Sequence, residues 1–127
     1  MKLRIKGNSV RLRVTRSELA RLGAGEAVAE TTHFGPSAGS VLAYSLASDA
    51  SISRISVSFA CGQIQVRIPV LLVREWCESD MVGIHELLDV GCSERLEISV
   101  EKDYACLDRS AKDNEDAFEN PRAAKAC

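Results

Sequence analysis

The fold of this chain is decided by KLRIKGNSVRLRVTRSELARL, residues 2–22, which predict two strands, a tight turn and a short helix. Apolar and basic residues alternate over 2–6 and again over 10–14, and a period of two is typical of half-buried strands. The Gly7-Asn8-Ser9 segment between them tolerates the backbone angles of a tight turn. The two strands are therefore predicted to form a hairpin.

A short helix is predicted directly after the hairpin. Thr15 and Glu18 have the spacing of a capping box. In that motif the hydroxyl accepts a hydrogen bond from a helix amide, and the carboxylate accepts one from the backbone of the capping residue. The Gly23-Ala24-Gly25 segment then ends the helix.

The same stretch is strongly basic. It carries seven basic side chains against one acid, Glu18, in a chain whose net charge is −2. Five of the cations alternate along the two strands and are predicted to share one face of the hairpin. We call this set the basic hairpin face, and its members are Lys2, Arg4, Lys6, Arg11 and Arg13. Like charges this close predict a negative group nearby.

The rest of the chain repeats the order of elements found at its start. Further strands are predicted over residues 26–34, 40–48, 52–60, 63–68, 82–88 and 95–103, and a second helix over 70–78. Each position of residues 2–49 corresponds to the position 54 later, in residues 56–103, and the apolar positions coincide. Only five of the forty-eight pairs are identical, so the order of elements and the burial pattern carry the hypothesis of a duplication.

We therefore predict a single α+β domain over residues 1–103, mostly antiparallel β with two short helices. Its duplicated ββαββ unit would form either a closed eight-stranded barrel or two packed sheets, because both arrangements reduce exposed sheet edges. Residues 104–127 are predicted to be an acidic C-terminal tail that is partly docked through apolar side chains, Tyr104, Cys106, Leu107 and Phe118.

Composition limits the classes of function. No window approaches the roughly 18 apolar residues of a membrane span, and the charged N-terminus is unlike a signal peptide. A cytoplasmic protein is therefore predicted. Aromatic residues make up only 5% of the chain, which argues against a nucleic acid partner because stacking platforms are scarce. The five cysteines lack CxxC spacing, which favours reduced thiols over disulfides or a zinc site.

Other candidate sites have less support. His33 and His85 do not occupy equivalent places in the two repeats, and no nucleophile with a neighbouring base is readable. A mixed cluster near the C-terminus contains Cys106, Cys127, Asp103, Asp108 and Asp113. Hard carboxylates beside soft thiolates select no particular metal. A non-enzymatic role without a cofactor is therefore favoured, and no catalytic residue is assigned.

Three segments together resemble an uncharacterised bacterial family of small proteins, a domain of unknown function. They are KLRIKGNSVRLR at residues 2–13, THFG at 32–35 and VEKDYACLD at 100–108. The resemblance spans nearly the whole chain and implies that the beginning of the tail belongs to the domain. It implies no activity and no catalytic residue.

Two functions are predicted for the basic hairpin face. The leading hypothesis is a small cytoplasmic binding or protein-interaction module, with a homodimer as one option, whose cations bind an acidic partner. The alternative is a binder or hydrolase of phosphorylated small molecules, built on a barrel that would resemble the triphosphate-tunnel family. The five cations would bind the phosphate groups, and Glu97 and Glu101 would hold Mg²⁺. The ExExK strand of that family is missing, because residues 2–6 read KLRIK. A third interpretation pairs the cations with Glu97 and Glu101 on a solvated outer face.

Overall fold

The computed structural model describes residues 1–105 and 115–121. Its strands are β1 (Lys2–Lys6), β2 (Ser9–Val14), β3 (Val28–His33), β4 (Val41–Asp49), β5 (Ser56–Ala60), β6 (Gln63–Pro69), β7 (Gly83–Asp89) and β8 (Arg95–Lys102). Its helices are α1 (Arg16–Gly23) and α2 (Val70–Glu78), and a single 3-10 turn spans Ala38–Ser40. No helix in this part of the chain has the length and apolar character needed to cross a membrane.

These elements divide into two compact units, each built on one mixed sheet of four strands. One unit comprises Met1 and Ala20–Met81 and contains sheet B, in which the strand order is β3-β4-β6-β5. The other comprises Lys2–Leu19 and the chain from Val82 onward, and contains sheet A, in which the order is β1-β2-β8-β7. The predicted α+β class is confirmed.

Both sheets are open, so the predicted closed barrel is wrong. The reason is that each hairpin joins a hairpin from the other half of the chain through a parallel central pair, β2 with β8 and β6 with β4. The inner strands then have a neighbour on both sides, and β1, β7, β3 and β5 remain as edges. The hairpin pairs on either side of each central pair are antiparallel, which agrees with a mostly antiparallel fold.

The strand registers bear on the hypothesis of a duplication. Val10 pairs with Ile98 in sheet A, and Ile64 pairs with Tyr44 in sheet B. Val10 and Ile64 are 54 residues apart, and so are Tyr44 and Ile98, so the two pairs join equivalent positions of the two repeats. The edge strands β3 and β7 correspond at a spacing of 56 instead. Residues of β3 and β7 that are 56 apart pair with residues of β4 and β8 that are 54 apart. The duplication and the single domain over residues 1–103 both remain predictions.

Ile5 and Phe59, on the edge strands β1 and β5, are 57% and 68% exposed, whereas most of the other predicted apolar positions are buried. In the unit of sheet A they are Val10, Leu12, Val14, Leu19, Ile84, Ile98 and Val100. In the unit of sheet B they are Leu22, Val28, Leu46, Ile55, Ile64, Val66, Ile68, Val73 and Trp76. Helix α2 packs against β4 and β6, which places Trp76 in this second core. On β2 the cations at alternate positions therefore point away from the core.

Helix α1 begins with the predicted capping box. The backbone amide of Thr15 donates to the Glu18 carboxylate at 2.9 Å, and the Glu18 amide donates to the Thr15 hydroxyl at 3.3 Å. Asp116 adds a second cap, because its carboxylate accepts a hydrogen bond from the Ser17 amide at 3.2 Å. The hydroxyl of Ser17 also donates to this carboxylate, and that bond holds the pKa of Asp116 below its ordinary value.

The described part of the tail contacts the end of β8. The Phe118 amide donates to the Asp103 carbonyl at 2.8 Å, and the Ala105 amide donates to the Phe118 carbonyl at 2.6 Å. The aromatic rings of Tyr104 and Phe118 lie 5.9 Å apart between centroids. The other two predicted anchors, Cys106 and Leu107, lie outside the described residues.

The hairpin between β5 and β6 turns through two residues, Cys61 and Gly62. Both have positive φ angles, 51° and 72°, as a type I′ turn requires. Glycine suits the second position, because a Cβ atom there would lie 2.5 Å from the carbonyl oxygen of Val41. Cysteine is a poor choice at the first position, since the left-handed region costs an ordinary side chain roughly 1–2 kcal/mol. The turn therefore stores backbone strain at Cys61.

We expect Cys61→Asn to raise the free energy of unfolding by about 1 kcal/mol, because asparagine tolerates this conformation. Urea denaturation followed by circular dichroism measures the change. Gly62→Ala is the matched control at the neighbouring position and should lower the same quantity. A Cys61→Asn variant that is less stable than the unmodified chain would contradict the inference that the backbone is strained at Cys61.

Candidate functional site

The hairpin of β1 and β2 places all five cations of the basic hairpin face on one side of sheet A. Arg4 lies directly opposite Arg11, and Lys2 lies directly opposite Arg13. Lys6 lies opposite Ser9, at the closed end of the hairpin. Four of the five cations are exposed and Arg11 is half-buried. The predicted common face is thus present, and it brings like charges into direct cross-strand contact positions, which destabilises the hairpin by itself.

Strand β8 supplies carboxylates to the same side of the sheet. Its parallel register places Glu101 beside Arg13. One carboxylate oxygen of Glu101 lies 3.5 Å from Nε of Arg11, and the other lies 3.8 Å from Nε of Arg13. Lys2 Nζ forms a closer ion pair with Asp103, just after β8, at 3.1 Å. The interpretation that cross-strand acids pair with the cations therefore holds for part of the face.

Two cations of the face have no counterion among the residues that the structure describes. Arg4 and Lys6 form no ion pair within residues 1–105 and 115–121. With Ser9 and Arg11 they line a shallow depression of about 160 Å³. A second depression of about 170 Å³ lies along the same strands and is lined by Lys2, Leu3, Arg4, Arg11 and Arg13. Among the described residues, therefore, only two carboxylates, Glu101 and Asp103, form ion pairs with the five cations.

Glu97 does not pair with the cations. Its carboxylate lies 2.8 Å from Nε2 of His85, which projects from the neighbouring strand β7. The sequence analysis missed this pair, because it depends on the β7–β8 register and no local motif marks it. His33 lies exposed on β3, in the other unit.

The described residues do not assemble a metal site. Nowhere in residues 1–105 and 115–121 do three or more His, Cys, Asp or Glu side chains group together as ligands. Glu97 and Glu101 are four residues apart on one strand, about 13 Å between Cα atoms, and different partners hold their carboxylates. In the mixed cluster near the C-terminus, Asp103 pairs with Lys2. The other members, Cys106, Asp108, Asp113 and Cys127, lie outside the described residues.

The open geometry removes the basis of the triphosphate-tunnel alternative. That alternative needed inward-facing cations in a closed barrel, and sheet A ends at β1 and β7 without closing. Cys61, Cys77 and Cys92 lie at exposed positions. The predicted reduced state of the thiols stays a prediction.

Comparison with known proteins places the chain in a family. The model of DUF7009, a family of unknown function, matches residues 1–122. The chain belongs to this family. The match to DUF7009 covers both sheets, both helices and residues 115–121, so the sequence resemblance to a family without an established activity is confirmed. No curated protein and no solved structure matches the chain.

Proposed function

We propose that this chain is a binding module whose basic hairpin face binds an acidic segment of a partner protein. The observation that carries the proposal is that Arg4 and Lys6 form no ion pair with any described residue, beside Arg11, which shares the Glu101 carboxylate with Arg13. Holding these charges together costs folding free energy, and an external anion would recover it. Each arginine supplies paired N–H donors that match a carboxylate.

The spacing of the cations favours an extended protein segment as the ligand. Lys2, Arg4 and Lys6 occupy every second position of an edge strand, so their side chains repeat at about 7 Å. An extended peptide with an acid at every second residue has the same repeat. The depressions beside these cations, of about 160 and 170 Å³, are smaller than the roughly 300–1,000 Å³ of small-molecule pockets, which favours a segment lying along the surface.

The test is the binding of a fluorescein-labelled Ser-Glu repeat peptide, measured by fluorescence anisotropy. Arg4→Glu should weaken binding at least about tenfold, because a contact of about 1.4 kcal/mol is lost and a repulsion is added. The variant should remain folded, since its new carboxylate faces Arg11 across the hairpin. Affinity for the unmodified chain should fall with added salt, as expected for exposed charges.

Arg74→Glu is the matched control, because Arg74 is an exposed arginine on α2 in the other unit. It changes net charge by the same amount and should leave the affinity within about twofold of the unmodified chain. Equal losses in the two variants would show that only net charge matters and would overturn the proposal. Inorganic triphosphate serves as a competing probe. If it binds more tightly than the peptide and loses affinity in Arg4→Glu, the ligand is a phosphate and the assignment to a protein segment fails.

A further inference from the structure

The four edge strands of the two sheets differ in charge. Three of them carry charged or titratable side chains: Lys2, Arg4 and Lys6 on β1, Glu30 and His33 on β3, and His85, Glu86 and Asp89 on β7. The fourth, β5, reads SVSFA and has none. Charged side chains on an edge oppose pairing with another chain, whereas an uncharged edge is a template for it. Strand β5 is therefore the edge of this protein that lacks electrostatic protection.

The backbone of β5 presents free hydrogen-bonding groups. Because the turn has two residues, Ala60 and Gln63 form the closing hydrogen-bonded pair of the hairpin. Bonded and non-bonded pairs then alternate, so the N–H and C=O groups of Val57 and Phe59 point outward. Across the described chain, nothing forms a hydrogen bond to these groups on the outer edge. Two donors and two acceptors are thus available in an extended row.

The side chains of β5 are suited to pairing with themselves. Phe59 is 68% exposed although it lies opposite the buried Ile64. Its neighbour Val57 is half-buried on the same face. An antiparallel pair of β5 strands centred on Ser58 would place Val57 of each copy opposite Phe59 of the other. An aromatic residue opposite a β-branched residue is a favourable cross-strand pair.

We propose that β5 is a dimerisation edge that pairs antiparallel with β5 of a second copy of this chain. In this register the outward groups of Val57 in one copy meet those of Phe59 in the other, so four hydrogen bonds form around a twofold axis at Ser58. Twofold symmetry makes one patch complementary to itself, which is how most homodimers close. The second copy is the expected partner because β5 has no charge that would repel a second β5 and because Val57 and Phe59 complement each other across the axis. Self-pairing of β1 around Arg4 would instead bring that side chain against itself. The inference concerns sheet B alone and is independent of the function proposed for sheet A.

The register is tested by the variant Ser58→Cys. Residues at the twofold axis form a non-hydrogen-bonded pair with Cα atoms about 4.5 Å apart. This separation lies within the range of roughly 4.4–6.8 Å that a disulfide spans. Mild oxidation should therefore produce a covalent dimer, and peptide mapping should find the two introduced thiols joined to each other. The mapping also separates this product from any formed by Cys61, Cys77 or Cys92, the exposed native thiols.

Ser56→Cys is the matched control for the register. In the proposed pairing Ser56 faces Ala60 of the second copy, and the two introduced thiols would lie about four strand residues apart, or about 13 Å. No disulfide between them is expected. Cross-linking that is equal in the two variants, or absent in Ser58→Cys, would overturn the proposed register.

The edge itself is tested by analytical ultracentrifugation of the complete chain. The unmodified chain should sediment as a dimer, and Phe59→Lys should shift the dissociation constant by at least about tenfold toward the monomer. Ile5→Lys is the control, because Ile5 is 57% exposed at the corresponding position of the other hairpin and should leave the dimer intact. An unmodified chain that is monomeric at the highest attainable concentration, or a Phe59→Lys variant that dimerises as well as the unmodified chain, would overturn the proposal.

Discussion

Replacement of Trp76 by alanine should lower the free energy of unfolding by about 3–5 kcal/mol, the range for large aromatic residues removed from a core. Trp76 is fully buried on α2, which packs against β4 and β6. Without the indole, less apolar surface is buried on folding, so the hydrophobic stabilisation is smaller. The truncation also leaves a cavity that side-chain motion on the strands cannot fill. Urea denaturation followed by far-ultraviolet circular dichroism measures the loss, because this signal does not depend on the indole.

Leu71→Ala provides the control on the same helix. Leu71 is 72% exposed, so its truncation should change stability by no more than about 0.5 kcal/mol. Trp76→Phe should lie between the two, since it keeps an aromatic ring in the site. A loss at Trp76 no larger than the loss at Leu71 would show that α2 does not pack as described.

The second large effect is expected from Gly83→Ala, on β7 of sheet A. A Cβ atom at Gly83 would overlap the carbonyl oxygen of Val100 and would lie 2.9 Å from Cα of Glu101. Both atoms belong to the backbone of β8, so no rotation of a side chain can relieve the overlap. The two strands would have to separate at this end, and we expect a loss of about 3 kcal/mol or more, at the upper end of overpacking effects.

Native-state hydrogen exchange locates this effect in addition to urea denaturation. The Lys102 amide donates to the Val82 carbonyl at 2.9 Å, so its protection should fall most in Gly83→Ala. Gly39→Ala is the control, since a Cβ atom at Gly39 meets nothing within 4 Å. If Gly83→Ala were as stable as Gly39→Ala, the close approach of β7 and β8 at this point would be refuted.

The local parts of the fold could be predicted from the sequence because their causes are local. Alternation along β1 and β2 determines which side chains face the core, whatever sheet the hairpin later joins. The capping box at Thr15 and Glu18 needs only neighbouring residues, and the structure shows both of its hydrogen bonds. The two-residue length of the turn at Cys61 and Gly62 favours the turn type in which both residues have positive φ angles. In each case the atoms that interact are close together in the chain.

The candidate site was predictable only in part. Period two was enough to place the five cations on one face, and strand alternation also assigned Glu97 and Glu101 to a common side. The choice of partners was not predictable, because it depends on the register of β8 against β2 and β7. In that register Glu101 pairs with Arg11 and Arg13, Glu97 pairs with His85, and no described residue pairs with Arg4.

The sequence by itself determined the elements of this protein, their inward and outward faces, and the concentration of positive charge on the first hairpin. Tertiary structure alone decided that β2 pairs with β8, that β6 pairs with β4, and that two open sheets form in place of a barrel. The physical reason is that strand alternation specifies a buried face but not a neighbour. Backbone hydrogen bonds between strands are the same for any pair, so the partner is selected by packing between segments far apart in the chain. That selection placed β1 at one edge, where Arg4 has no ion pair with a described residue, and placed the uncharged β5 at another.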